Sequence, residues 1–476
     1  MAIAVFAGSR LIASDDILFN LAHGRWIIRN GFPLEDPFSF TARRAWFPHE
    51  WGFGVLVYFS ERLLGGGGPV WLCALLLAGA TAGCWKLILG RPSRPLLELL
   101  LLVLVLSAQS WMWSEQRAYL VSLALLPLWL LLLKKSPADG PRRLWLFPPL
   151  ALVWSNLHGG WPLGILFLGS YTVSLIKEKR PPATCLAAAA GTAACLMAAA
   201  VSPAGWANLI YPFRFLLSHG GAGIWEWSAL DLREGASCSL VLLGLTWLWS
   251  LFKARRFDAA FDLPAALLMA ASLFASRHGP FAAMVLAAAV RRKVEQLTPE
   301  ECRRPEKPTL LDRFVRGGGE LWPAAALLII ASVAGINPKP LAERLDTLWF
   351  PVKSLQELCR RPPGRVLNRY HLGGAVQALC GPEMKVFIDG RNDCFPLEVH
   401  RQYEQLVLLQ EGWRETLGEV GPDYILWSPL NRGRLMEREL RRLENCRLLQ
   451  EEESGQLFAC DWSRPSAGLA PSPSSR

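Results

Sequence analysis

A polytopic α-helical membrane region of about 10–12 spans, followed by a C-terminal soluble α/β domain, is the architecture this sequence predicts. Three observations point to it. Of 476 residues, 52% are hydrophobic and only 19% charged, against about 25% charged in soluble domains, and the mean hydropathy is +0.23. Apolar runs recur along the chain with basic residues gathered in the short loops between them, the pattern of membrane topology. After Ile336 the long runs give way to short apolar strands alternating with helical stretches. The resulting division is a membrane region over 1–338 with a first outer loop at 14–50, an α/β domain over 339–463, and a Pro/Ser-rich tail over 464–476 expected to be disordered.

The apolar runs are, in order, Pro69 to Leu89, Leu96 to Trp113, Ala118 to Leu133, Leu144 to Leu157, Trp161 to Ile176, Thr184 to Val201, Ser237 to Phe252, Leu263 to Phe274, Pro280 to Val290 and Leu321 to Ile336. Several fall short of the roughly 20 residues of a straight span and need flanking Trp, Tyr and polar residues to complete them. One set of loops is basic: Lys86, Arg91 and Arg94; Lys134, Lys135, Arg142 and Arg143; Lys177, Lys179 and Arg180; Lys253, Arg255 and Arg256; and the stretch from Arg291 to Arg316. The positive-inside rule assigns these to the cytoplasm. The opposite set then faces outward and holds Glu115, Arg117, Asn156, His158, Glu226, Arg277 and His278. Side chains able to bind or catalyse thus gather on one face. By the same count the C-terminal domain is extracytoplasmic.

The N-terminal run, Met1 to Ala13, has no basic leader and no small-residue cleavage site, so it reads as a short first helix rather than a signal peptide. If it spans, the loop after it faces outward, and Trp51 to Leu64 is an interfacial or re-entrant helix ending at a Gly65–Gly68 hinge. If Trp51 to Leu64 is the first span, the loop is cytoplasmic. In the C-terminal domain, Arg365–Asn368, Lys385–Asp389, Asp423–Trp427 and the pair CRLLQ/LFAC read as strands, with helices at Leu397 to Leu409 and Gly412 to Val420.

The net charge of +10 comes from the loops and forms no basic stripe, so no nucleic-acid partner is expected. The 11 cysteines include no CxxC pair and no zinc spacing. Cys446 and Cys460 flank the predicted hairpin and can pair.

Chemistry concentrates in the first loop. Asp15, Asp16, Glu35 and Asp36 lie beside apolar sequence, with His23, His49 and Glu50 close by. Carboxylates at a membrane boundary are costly unless solvated, paired or ligand-bound. Structural readings stand beside the functional ones. Asp15 and Asp16 are preferred helix caps. Glu35-Asp36-Pro37 is a turn sequence. His49 and Glu50 can anchor an interfacial helix among Trp46, Phe47 and Trp51. Asn156 and His158 can satisfy a helix end at Gly159. Arg277 can snorkel to the headgroups. In the C-terminal domain, Asp389 and Arg391 flank a glycine at a strand end, a binding edge on an α/β sheet or a structural ion pair. The GGAV segment at Gly373–Val376 is too weak a signal for a phosphate loop.

Asp16, Gly24, DPFSF (Asp36–Phe40) and HEW (His49–Trp51), read with SNLHGG (Ser155–Gly160), Glu226–Trp227, Arg277–His278 and VFIDGR (Val386–Arg391), carry a resemblance over nearly the whole chain. The sequence resembles a bacterial family of uncharacterised multi-spanning proteins, itself similar to the GT-C glycosyltransferase superfamily. It departs from these relatives at Asn20 and at Ser114–Arg117, which weakens any role for Arg117. The resemblance implies a GT-C-like fold in the bacterial cytoplasmic membrane. It also implies transfer of a sugar from a polyprenyl-phosphate-type donor to a glycan, lipid or protein acceptor at the extracytoplasmic face. An acid of the first outer loop is then base or metal ligand, and Asp16 matches that role first, Asp15 second.

Such a transfer needs a base for the acceptor, positive charge for the leaving phosphate and an apolar groove for the lipid. Asp16 can supply the base, and Glu35 or Asp36 can help hold a divalent cation such as Mg or Mn. Arg277, His278 and His158, with Asn156, His49 and Glu50, can line the substrate site, and Asp389 and Arg391 the acceptor. A transporter or flippase for a lipid-linked glycan, and a non-catalytic scaffold, are the competing readings. The chain shows no internal repeat of the transporter kind.

Overall fold

The computed structural model describes residues 11–43, 49–89, 94–113, 115–139, 141–217, 225–297, 339–429 and 435–463. The expected span at Leu321 to Ile336, the tail from Arg464, Trp46 and Phe47, and most of the Met1 to Ala13 run lie outside these residues. In chain order the first helices are α1 (Asp15–Asn30), α2 (Trp51–Leu64), α3 (Gly68–Leu89), α4 (Pro95–Ala108), α5 (Tyr119–Asp139), α6 (Phe147–Leu157), α7 (Pro162–Lys177) and α8 (Pro182–Ala199). They are followed by α9 (Ala207–Leu217), α10 (Gly235–Ala254), α11 (Ala259–Phe274) and α12 (Gly279–Leu297). Proline in the first turn opens α4, α6, α7 and α8, where its missing N–H costs nothing.

The chain folds into two compact units, one helical from Trp71 onward and one joining Arg10–Val70 to the part from Asn337. In the helical unit α12 is the central element, with every residue from Gly279 to Val290 buried. It packs on α10, α11 and α4. Among the described residues three helical stretches are long and apolar enough to cross a membrane, Trp51–Leu89, Pro182–Ala199 and Gly235–Ala254, and four apolar helices are shorter. The expected 10–12 spans are therefore matched only in part.

Two expectations change here. The stretch between the apolar runs that end at Val201 and begin at Ser237, read as a loop, contains α9, hidden by the proline at its interior position 212. The basic stretch assigned to a loop from Arg291 begins inside α12, with Arg291 and Lys293 buried. Arg291 bonds Glu98 through Nε at 3.0 Å, and Lys293 bonds Asp262 at 2.5 Å. Buried charge persists in proteins when it is paired in this way.

The second unit is built on a five-stranded sheet in the order β2-β1-β3-β5-β4, from β1 (Gly364–Asn368), β2 (Met384–Val386), β3 (Tyr424–Trp427), β4 (Cys446–Glu452) and β5 (Gly455–Cys460). The pairs β1/β2 and β1/β3 are parallel, and β5 runs antiparallel to β3 and β4. Helices α13 (Val352–Leu358), α14 (Gly373–Cys380), α15 (Leu397–Leu408), α16 (Trp413–Val420) and α17 (Leu435–Leu440) complete it. The five parallel and hairpin strands and the helices at α15 and α16 overlap the segments where the sequence placed them.

The first loop, grouped by sequence with the membrane region, packs within this α/β unit. Its DPFSF segment lies along the free edge of β2: Val386 N–H donates to Phe38 O at 2.9 Å and Phe40 N–H to Val386 O at 3.3 Å. Ile12 pairs in the same way beside Leu345. An uncovered sheet edge invites such pairing. Two disulfides close the unit, the expected Cys446–Cys460 across β4 and β5, and Cys359–Cys380 between α13 and α14.

Candidate functional site

The carboxyl ends of parallel strands are where open α/β sheets bind ligands, and here they organise the polar residues of the α/β unit. Asn368, at the end of β1, accepts from Phe387 N–H at 3.0 Å and donates to Ile388 O at 2.7 Å. It thereby shapes the Asp389-Gly390-Arg391 turn beyond β2. Asp389 accepts from Gln377 at 2.6 Å, and from Arg391 through its backbone N–H and its Nε, each at 2.9 Å. The Arg391 guanidinium also forks onto Asp36, with Nη2 to Oδ2 at 3.2 Å and Nη1 to Oδ1. Burial opposes the charge on Arg391; Asp389 and Asp36 more than offset it and hold the pKa above its ordinary value.

Helix α1 enters this centre at its N-terminus. Gly374 and Ala375, in the first turn of α14, donate their N–H groups to Asp15 Oδ2 and Oδ1 at 2.8 and 2.9 Å. The free N–H groups at the start of the GGAV helix are thus capped by the Asp15 carboxyl group. Its glycines are needed for contact: a Cβ on Gly374 would lie 2.5 Å from Asp15 O, and one on Gly373 2.6 Å from Ile388 O. Asp16, one residue on, places its carboxylate against the turn, and a Cβ on Gly390 would stand 3.0 Å from Asp16 Oδ1. Asn20 braces α1 by donating to Asp16 O at 3.0 Å.

Geometry separates the two aspartates. Burial pushes Asp15 up to about 8; the Gly374 and Ala375 amides oppose this, and the charges of Asp16 and Asp389 add to it. A pKa near the working pH suits a general base, but both Asp15 oxygens are already taken by α14. Asp16 Oδ1 instead lies beside Gly390. Because the folded pKa of Asp15 stands above its ordinary 3.8, its stabilising contribution is full below that value and is lost as pH rises toward about 8. In Asp15→Asn, measured in detergent, the melting temperature relative to the natural protein should therefore rise between pH 5 and 8.

The remaining expected residues fall in three groups. Glu35 is exposed, and Asp36, the other expected cation ligand, has both oxygens on Arg391. Among the described residues no group of three or more His, Cys, Asp or Glu side chains has metal-ligating geometry. Asp36, with both oxygens held by Arg391, does not fit the expected role of a Mg or Mn ligand. Asp389 and Arg391, expected at the acceptor, are bonded to each other. His49 pairs with Glu50 at 3.5 Å. His23 is buried and stacked on Phe38, and burial together with the charge of Arg391 keeps it neutral.

The others lie in the helical unit. Asn156 donates to Leu152 O and Val201 O, both at 2.9 Å, and so closes a helix end. His158 Nδ1 bonds Ser122 Oγ at 2.6 Å and accepts from Gly160 N–H at 3.1 Å. These bonds account for both side chains structurally. Arg277 lies 3.6 Å from Glu226 and stacks 4.3 Å over the Trp227 ring. Arg117 reaches the same Glu226 at 3.3 Å. Burial and the neighbouring Arg277 charge lower His278 to about 4, so it is neutral at physiological pH. Sequence reading missed Asn368 and Gln377. A polar residue at an otherwise apolar strand end, and one inside the short apolar helix α14, were the available signals.

The fold of the chain has a solved counterpart. It is similar to the crystal structure of the Archaeoglobus fulgidus oligosaccharyltransferase in the apo form, with a TM-score of 0.50 at 12% identity over 88% of this chain and 66% of that one. It is also similar to the same enzyme tethered through a disulfide to an acceptor peptide containing the NVT sequon, with a TM-score of 0.51 at 10% identity over 98% of this chain and 74% of that one. At such identity the likeness is one of fold. No protein-family model and no curated protein matches the sequence.

Proposed function

We propose that the protein is a membrane glycosyltransferase of GT-C type that uses a lipid-linked, polyprenyl-phosphate-type sugar donor. The observation that carries this reading is the Asp16 carboxylate, set against Gly390 at the carboxyl end of the parallel strands in a chain of GT-C-like fold. The acceptor, a peptide or glycan, gives its proton to Asp16 as its nucleophilic atom bonds to the sugar anomeric carbon. The bond from that carbon to the phosphate oxygen breaks, and its electron pair leaves with the phosphate. Both disulfides lie in the α/β unit. Because disulfides persist in oxidising compartments, they support an extracytoplasmic α/β unit.

Purified protein in liposomes, given a radiolabelled polyprenyl-phosphate sugar and candidate acceptors, should form labelled product. Movement of the intact donor between leaflets with no product would identify a transporter instead. A side chain at Gly390 would press on the Asp16 carboxylate, so Gly390→Ala should lower kcat about tenfold while leaving KM nearly unchanged. The ratio of the two constants checks this.

A further inference from the structure

We propose that the helical unit holds the phosphodiester headgroup of an anionic glycerophospholipid in a cavity on its basic-loop side. The cavity, ≈ 460 Å³, lies where the turn between α7 and α8, the turn between α10 and α11, and α12 meet. Its size is that of a small-molecule pocket. This inference rests on the membrane reading of the unit and is independent of the proposed reaction.

Charge defines the occupant. Three arginines line the cavity, Arg180, Arg256 and Arg292, with two acids, Glu178 and Asp258. Arg292 is bound to Asp258 at 2.8 Å and Arg180 to Glu178 at 3.2 Å. Among the described residues Arg256 has no ionic or hydrogen-bonding partner. The lining therefore carries one uncompensated positive charge, which matches the single negative charge of a phosphodiester. Arginine can meet two phosphate oxygens at once through its planar fork.

The walls fit the rest of the molecule. Leu144, Leu175 and Phe261 make the cavity apolar behind the charges. The sequence neighbours of three lining residues, Trp145, Ile176 and Phe257, are exposed at 60%, 61% and 45%. Exposed aromatic and aliphatic side chains beside basic ones are the composition of a membrane interface. A free phosphate ion would satisfy Arg256 but would leave this apolar surface unexplained.

Native mass spectrometry of the full-length protein released from detergent tests the proposal. Phosphatidylglycerol should be retained in preference to phosphatidylcholine. Arg256→Ala, at an exposed position, should weaken that retention about fivefold, as the loss of one interfacial cation would, and Arg256→Lys should restore most of it. Thr184→Trp, which fills the cavity from its wall, should remove the bound lipid while the protein stays folded by circular dichroism. Equal retention of the two lipids, or unchanged retention in Arg256→Ala, overturns the proposal. Displacement of phosphatidylglycerol by millimolar inorganic phosphate overturns it too, by making the cavity a small-anion site.

Discussion

Arg391→Met is expected to unfold the α/β unit, or to leave it only marginally stable. The guanidinium is 4% exposed and lies between Asp36 and Asp389, whose side chains are 2% and 0% exposed. Removing it leaves two buried carboxylates facing each other with no cation. Breaking a buried pair from one side costs about 3–5 kcal/mol, a large share of the 5–15 kcal/mol that holds a typical domain together. The damage should spread from the DPFSF segment, which lies on the β2 edge and carries Asp36. Arg391→Lys keeps the charge but loses the fork, so it should fall between. Thermal unfolding in detergent, or trypsin cleavage within residues 36–43, reads the effect. A loss below about 1 kcal/mol would place Arg391 among ordinary surface pairs and remove the lock from this description.

Asp16→Asn is expected to abolish sugar transfer while leaving the fold intact. The amide is isosteric and can still lie against Gly390, but it cannot take a proton from the acceptor. General-base catalysis contributes about 10²–10⁴-fold, so kcat should fall by at least about a hundredfold with little change in KM or melting temperature. Asp15→Asn separates the two neighbours. An amide offers one acceptor oxygen where Asp15 uses two, for Gly374 and Ala375. This variant should loosen α1 from α14 and retain measurable transfer. The reverse ranking, with Asp15→Asn inactive and Asp16→Asn active, would exchange the two roles.

The strands and the longer helices were legible because their signals are local. Alternating apolar residues and turn chemistry marked the sheet, and antiparallel neighbours at its hairpin marked Cys446 and Cys460. Asp16 was legible only through its setting beside apolar sequence and through the family resemblance. The partner of Asp36 was not: Arg391 lies 355 residues away, and nothing local to DPFSF shows that it will lie along a sheet edge. The GGAV segment looked like a poor phosphate loop because its amides are capped by a carboxyl group of the chain itself, 359 residues away. The basic end of α12 read as a loop for a related reason. The charges of Arg291 and Lys293 are neutralised by Glu98 and Asp262; Glu98 stands within an apolar run and Asp262 just before another.

The role of Asp16 as the base of a lipid-dependent sugar transfer is the claim on which the functional reading depends. Its most direct measurement is the amount of labelled sugar passed from a polyprenyl-phosphate donor to acceptor by the natural protein and by Asp16→Asn, purified in parallel and shown to melt at the same temperature. Product from the natural protein and at least a hundredfold less from the variant is the predicted result. Equal product from both would contradict it.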